Sequence, residues 1–368
     1  MATIEGNIYR HFIKENVAPK KAKRIVVQKG TNKVGMIPFG IHSQPNIEKN
    51  YSFCAISDVH VQYSTAEDDL KRALNYVNDN DVNFTCICGD LTSAGGDTEL
   101  GKYKTIASVA KKPIYAITGN HETLAGHITF DYPTIFTGYP LYYTIGIDRY
   151  GNKVDESVNG ISKAFGDNVR DVFLFVGYTG NSTGGWTNDG CITQEELQYI
   201  YEILEKNRNK RCFVWHHVYP YQDMVGDACR YYNGNYWNQN DNGKGTAFHS
   251  LIKHYKNTML FHGHSHLRFH LQSEADYANY AYTGYRNVHI PSLAVPRDRV
   301  DGGTNYIYAE SEGYIIDVYD NYVVLNGMDF IDNLRDGMVI PLGTIKIDFQ
   351  PVVVPEKSFV DSTGLINI

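Results

Sequence analysis

The chain has 368 residues, 42% of them hydrophobic and 20% charged. These proportions are those of a folded globular protein with ample apolar material for a core, which excludes general disorder; the length favours one large domain with appendages. A net charge of -7 and a pI near 6.0 exclude a general nucleic-acid binder, because affinity for a phosphate backbone needs clustered Lys and Arg.

Residues 1–50 differ in character from the rest of the chain. A basic stretch from Lys20 to Arg24 precedes a short apolar run, Ile25 to Val27, and a turn-rich segment from Gly30 to Gly40. This predicts a β-rich N-terminal extension. Met1 to Arg10 carries Glu5 and Arg10 among scattered apolar residues, without the basic and apolar regions of a secretory signal. No apolar run reaches the roughly 18 to 20 residues of a membrane span. A cytoplasmic protein with no membrane partner is the expectation.

From Tyr51 onward, short apolar runs alternate with amphipathic segments, the pattern of an α/β fold. The predicted strands are Tyr51 to Ile56, Phe84 to Cys88, Ile114 to Thr118, Val172 to Val176, Cys212 to Trp215 and Met259 to Phe261. Near-continuous hydrophobicity fits strands covered on both faces. Between them, helical spacing aligns Ala66, Leu70, Ala73, Leu74 and Val77, then Leu100, Tyr103, Ala107 and Ala110. Two later stripes are Leu197, Ile200, Tyr201 and Leu204, opened by a capping box from Thr193 to Glu196, and Phe248, Leu251, Ile252 and Tyr255. Further strands are expected between Asn287 and Phe330, with Gly313 to Tyr319 and Tyr322 to Leu325 flanking the turn at Asp320-Asn321.

Five of the six strands run directly into potential metal ligands. In chain order these are Asp58-Val59-His60, Gly89-Asp90, Gly119-Asn120-His121-Glu122, His216-His217 and His262-Gly263-His264-Ser265-His266. The carboxyl ends of parallel strands share one sheet edge, so residues distant in sequence converge there. The donors are oxygen and imidazole nitrogen, a set that suits Mn, Fe or Zn and suits Ca²⁺ poorly. None of the six cysteines lies in these clusters, and none shows paired ligand spacing. The glycines ahead of Asp90, Asn120 and His264 fit sharp turns at strand ends.

The order DxH, GD, GNHE, His at a strand end, then GHxH resembles the calcineurin-like metallophosphoesterases over roughly residues 51 to 330. The resemblance implies an α/β fold of two mixed β-sheets in a sandwich flanked by helices, four layers in the order α/β/β/α. It places the metallophosphoesterase domain at 51–335 and a C-terminal tail at 336–368. It also implies two metal ions of Mn, Fe or Zn type. Asp58, His60 and His266 would hold the first, Asn120, His216 and His264 the second, and Asp90 would bridge them. Hydroxide formed on the metal pair would attack phosphorus in line, with His121 as general acid. Between the adjacent histidines His216 is favoured over His217, because it ends the apolar run. Glu122 either orients His121 or is an ordinary acidic residue at a helix start.

The implied activity is hydrolysis of phosphate esters, with a diester preferred over a monoester or a phosphoprotein. Ile117-Thr118 precede the GNHE segment, where Ser/Thr protein phosphatases commonly carry an Arg. The expected partner is a small phosphate ester, including nucleotide-like ones. Tyr219 to Gly245, rich in Tyr, Asn and Gly, is a candidate substrate lid. The contrasting reading is a catalytically silent binding or scaffold module on the same fold, against which the intact His121 speaks.

Overall fold

A computed structural model describes residues 24–29, 32–38, 48–63, 65–124, 132–158, 160–178, 192–218, 244–255, 257–268, 286–297, 310–331 and 340–348. The N-terminal pair β1 (Arg24–Lys29) and β2 (Asn32–Pro38) forms an antiparallel two-stranded sheet of its own. These two strands lie within the extension expected from the sequence to be β-rich.

Two six-stranded mixed sheets make the body. The first has the order β14-β13-β12-β3-β4-β5. Its parallel half is β3 (Tyr51–Ile56), β4 (Phe84–Cys88) and β5 (Ile114–Ile117), and its antiparallel half is β12 (Glu312–Val318), β13 (Tyr322–Asp329) and β14 (Ile340–Asp348). Strand β14 lies in the stretch expected from the sequence to be a tail, yet it pairs with β13 from Tyr322↔Asp348 to Asp329↔Ile340 and forms the sheet edge.

The second sheet has the order β11-β10-β9-β8-β6-β7. Four parallel strands, β8 (Asp171–Val176), β9 (Arg211–His216), β10 (Thr258–His262) and β11 (Arg286–His289), are extended by antiparallel β6 (Tyr142–Ile147) and β7 (Lys153–Ser157).

Alternation along the strands explains the layering. Phe53 and Phe84 of the first sheet interlock with Phe173, Phe213, Trp215 and Phe261 of the second. Phe53 and Phe84 stack at 5.5 Å, and Phe173 meets Phe53 edge-on at 5.2 Å. Each such ring, fully withdrawn from water, contributes roughly 1.5–3 kcal/mol of transfer free energy. The other face of the first sheet is covered by α1 (Ala66–Asp79) and α2 (Asp97–Ala107). That of the second is covered by α4 (Gln194–Lys206) and α5 (Lys244–His254), while a short α3 (Tyr132–Thr137) precedes β6. The result is the four-layer α/β/β/α sandwich.

The helix stripes are buried as the spacing requires: Leu70, Ala73, Leu74 and Val77 on α1, Leu197, Ile200 and Leu204 on α4, and Phe248, Leu251 and Ile252 on α5. Thr193 and Glu196 close a reciprocal capping box at the start of α4. Helix α2 ends at Ala107, so Ala110 packs against the same core from beyond it. No helix among the described residues is long and apolar enough to cross a membrane.

Candidate metal centre

The carboxyl ends of the parallel strands in both sheets meet at one edge, and there the loops are zipped together by main-chain bonds. Asp58 N donates to Gly89 O (3.2 Å), His60 N to Asp90 O (2.9 Å) and Val61 N to Leu91 O (3.1 Å), so the turn after β3 runs along the turn after β4. His121 N donates to Asp90 Oδ1 (2.9 Å) and His264 N to Asp58 Oδ2 (3.0 Å), which brings in the turns after β5 and β10.

Asp58, His60, Asp90, His264 and His266 all have positive φ, between 45° and 74°. For side-chain-bearing residues such a conformation costs about 1–3 kcal/mol each and persists only where the surroundings enforce it. Here it aims five donor side chains inward.

Three glycines make the convergence sterically possible. A Cβ on Gly89 would lie 2.5 Å from His217 Nδ1, one on Gly119 would strike Asp90 Oδ1, and one on Gly263 would strike Ser57 Oγ. Only Gly89 of the three has positive φ (86°), so Gly119 and Gly263 serve close approach rather than a glycine-only turn.

The donors fall into two groups that share one carboxylate. Asp58, His60, Asp90 and His266 form the first, and Asp90, His217 and His264 the second; within each group, ligand atoms lie within 4.8 Å of one another. In the first, His266 Nε2 is 3.1 Å from both His60 Nε2 and Asp58 Oδ1. In the second, His217 Nε2 is 3.1 Å from Asp90 Oδ2. His60 Nε2 approaches the same Asp90 oxygen at 3.6 Å, which puts Asp90 between the groups. Asn120 is buried beside them.

From the end of β9 it is His217, one residue beyond the expected His216, that joins a donor group. His216 is the last residue of the strand, in phase with Cys212 and Val214 on the helix-covered face, and its ring lies 5.9 Å from Phe248 of α5. His217 is in phase with Phe213 and Trp215 and turns over the edge toward Asp90. Its Nδ1 hydrogen-bonds the Cys88 carbonyl, which can only accept, so Nδ1 carries a proton; Asp90 and Asp58 push the ring up to about 9, and giving up the Nε2 proton would leave the lone pair that ligates. The parity of the large aromatics was the available signal.

Glu122 does not orient His121. Its buried carboxylate accepts from Thr92 N and Thr92 Oγ1 at 2.8 Å through Oε1, and from Gly119 N at 2.7 Å through Oε2. It thus ties the turn carrying Asp90 to the turn carrying Asn120. Burial and the neighbouring charge of Asp90 push it up to about 7. His121 instead takes its orientation from Ser93 O, 2.5 Å from Nδ1. That carbonyl fixes the proton on Nδ1 and turns Nε2 toward the cluster, 3.8 Å from Asp90 Oδ2.

The electrostatics are those of a site built for cations. Burial alone would raise Asp58 and Asp90, but the surrounding imidazoles hold both carboxyls well below their ordinary value: His266, His217 and His60 around Asp58, and His217, His121 and His60 around Asp90. Burial, reinforced by neighbouring imidazoles, holds His60 and His264 well below theirs, and a neutral imidazole is the form that ligates. Asp58 Oδ1, Asp90 Oδ2, Asn120 Oδ1 and His217 Nε2 are buried without a hydrogen-bond partner. Polar atoms in that state are costly, and a divalent ion in each group would satisfy them. The oxygen and imidazole donor set fits such ions.

Other sequence-derived positions divide plainly. His289, at the end of β11, is buried behind the site. Most of the lid stretch, residues 219–243, lies outside the described residues.

Comparison with known proteins agrees with this geometry. The sequence model of the calcineurin-like phosphoesterases matches residues 51–268. A search of curated protein sequences finds no match. Among solved structures, a dimetal phosphatase from Danio rerio superposes with a TM-score of 0.50 at 10% identity, covering 82% of this chain and all of the other. Purple acid phosphatase from yellow lupin (Lupinus luteus) gives 0.44 at 12% identity, over 81% of this chain and 53% of that one. The inner-membrane-complex anchor protein of Plasmodium gives 0.48 at 11% identity, over 86% and 99%. With the motif order, the shared fold and a family match spanning more than half its length, the chain belongs to the calcineurin-like phosphoesterases.

Proposed function

We propose that this protein is a metal-dependent phosphoesterase that hydrolyses small phosphodiesters or phosphomonoesters at a two-metal site. The observation that carries the reading is the pair of donor groups joined by Asp90, with buried oxygen and nitrogen atoms that the protein itself leaves unsatisfied. Asp58, His60 and His266 would hold one ion, Asn120, His217 and His264 the other, and Asp90 would serve both. Ions of Mn, Fe or Zn type would supply Lewis-acid polarisation of the phosphoryl oxygens and activation of water near neutral pH.

The chain's own residues supply the rest. The carboxylates and neutral imidazoles fix the ion positions, and the strained turns keep those positions from relaxing. His121 stands at the rim of the cluster, 8% exposed, with its Nε2 side directed inward. In its protonated form it would deliver a proton from Nε2 to the departing ester oxygen, with Ser93 O holding the ring. A diester preference, with nucleotide-like esters among the substrates, is supported by Ile117-Thr118 ahead of the GNHE segment, where a phosphoprotein phosphatase commonly carries arginine.

The test is turnover of aryl mono- and diester phosphates across a panel of divalent metals. Activity should require metal, and His121→Ala should lower kcat about 10²–10⁴-fold on substrates with poor leaving groups and less on activated aryl esters. Bound ions without turnover on any ester would favour a scaffold role. An unchanged rate for His121→Ala on a poor leaving group would remove the acid assignment.

A further inference from the structure

The family match ends at residue 268, yet the first donor group is held from behind by residues well beyond it. Strand β11 ends at His289, and the chain then passes under the site as far as Arg297. Along this path it touches two of the three turns that carry the first group. Leu293 N donates to Ser57 O (2.9 Å), and Ser292 Oγ donates to Asp58 O (3.0 Å) while receiving Val295 N (3.0 Å). These bonds grip the Asp58 turn through its carbonyls and leave its carboxylate facing the cluster.

The same segment grips the second turn. Val295 O lies 3.1 Å from His266 Nδ1, and Arg297 N donates to His266 O (2.7 Å). A carbonyl can only accept, so Val295 keeps the proton on Nδ1 and presents the Nε2 lone pair toward Asp58 and His60. His289 Nε2 is hydrogen-bonded to Ser265 Oγ, and Ser265 stands between His264 (φ 74°) and His266 (φ 60°). A turn with two such residues around one serine needs an external hold, since each left-handed residue is itself unfavourable. His289 is buried and fixed in register by β11, where it pairs with His262 of β10, and the two rings meet edge-on at 5.1 Å.

We propose that residues 289–297 act as a positioning strap for the metal ligands, with Ser292 setting the Asp58 turn of the first donor group and His289 setting the His264-Ser265-His266 turn, which carries one ligand of each group. The proposal rests on the two-metal reading above. Neither residue touches the ions or the substrate; each acts through a ligand. Partners of this kind are typically worth 10- to 100-fold in metal affinity.

The experiment is equilibrium dialysis of the full chain against Mn²⁺ and, separately, Zn²⁺, with bound metal quantified, for the wild type, His289→Ala, His289→Gln and Ser292→Ala. Two ions should bind the wild type. His289→Ala should weaken both about 10- to 100-fold, because the turn it holds carries His266 of the first donor group and His264 of the second. His289→Gln, which can place an amide group near the imidazole Nε2 position, should recover most of that loss. Ser292→Ala should weaken only the ion held through Asp58, by about three- to tenfold, the scale of one lost hydrogen bond, and leave the other within about threefold. With metal saturating, kcat should return toward wild type for each variant without a change in KM. Equal weakening of both ions by Ser292→Ala, or unchanged binding in soluble His289→Ala and Ser292→Ala, overturns the strap while the two-metal reading stands. A wild-type protein that takes up no ion removes both.

Discussion

The two ends of the sandwich handle buried charge in opposite ways. At the amino ends of the parallel strands, Asp171 of β8 takes Arg211 Nε at Oδ1 and Nη2 at Oδ2 (2.5 and 2.7 Å), and Tyr51 of β3 donates to the same carboxylate at 2.7 Å. Arg211 Nη1 adds a bond to Tyr319 O (2.6 Å), so the contact joins both sheets and the β12–β13 turn. Both charges of that pair have geometric partners. At the carboxyl ends, buried carboxylates and imidazoles face one another around two centres, several of their atoms are unsatisfied, and the backbone carrying them is strained. One end is assembled for stability, and the other stores unfavourable contacts that only a ligand relieves.

Substitutions that exchange the behaviour of the two ends are the strongest way to break this contrast. Asp90→Ala should reduce hydrolysis at least about a thousandfold, roughly 4 kcal/mol of transition-state stabilisation, because both donor groups lose their shared oxygen. The same change should alter the stability of the metal-free protein far less than it alters activity, since loss of the acceptor for His121 N is offset by removal of a buried carboxylate. Thermal melting with and without metal reads both effects. A marked destabilisation of the metal-free form would mean that Asp90 is part of the structural frame.

Arg211→Ala should do the reverse. Removing one partner of a buried ion pair strands the other, at about 3–5 kcal/mol. Denaturant unfolding should register that loss, while the folded fraction retains its metal stoichiometry and its kcat/KM. A loss of activity beyond the unfolded fraction would show that the two ends are coupled.

Glu122 sharpens the comparison, because it lies at the catalytic end yet is satisfied in the manner of the far end. Its two oxygens accept three donors from the turns bearing Asp90 and Asn120. Glu122→Gln keeps the shape but turns one acceptor into a donor facing an N–H. The expected result is a fall of about 10- to 100-fold in affinity for the ion proposed at Asn120 and His217, read by metal titration.

These differences mark how far the sequence was legible. The five strand-to-ligand junctions could be read because buried parallel strands are continuous apolar runs and the ligand types succeed them directly. His217 was missed because the strand boundary drew the choice to His216, although the parity of Phe213 and Trp215 pointed one residue further. Strand β7 is an exposed edge with Lys153, Asp155 and Glu156, a composition that blunts edges and hides a strand. Strand β6 contains Gly146, which weakens the local signal but is needed where a Cβ would strike Val169 and Phe165. The contacts of Glu122 and His289 join segments far apart along the chain, and no local pattern encodes them.

Asp69 of α1 is intermediate between the two ends, and pH tests it. Its carboxylate is buried with Oδ1 paired to Arg72 at 2.6 Å and Oδ2 without a hydrogen-bond partner. Burial, only partly offset by Arg72, pushes it up to about 6 from an ordinary 3.8. A carboxyl raised on folding means that the native state binds the proton more tightly than the unfolded chain. Its stabilising contribution is therefore complete below about pH 4 and is lost as pH rises through about 6. The shift of about 2 units corresponds to at most about 3 kcal/mol. Asp69→Asn should flatten the stability profile between pH 4 and 7 by this amount, measured as the difference between the variant and wild-type denaturation curves at each pH. A difference that stayed constant across that range would mean that Arg72 satisfies Asp69 as fully as Arg211 satisfies Asp171.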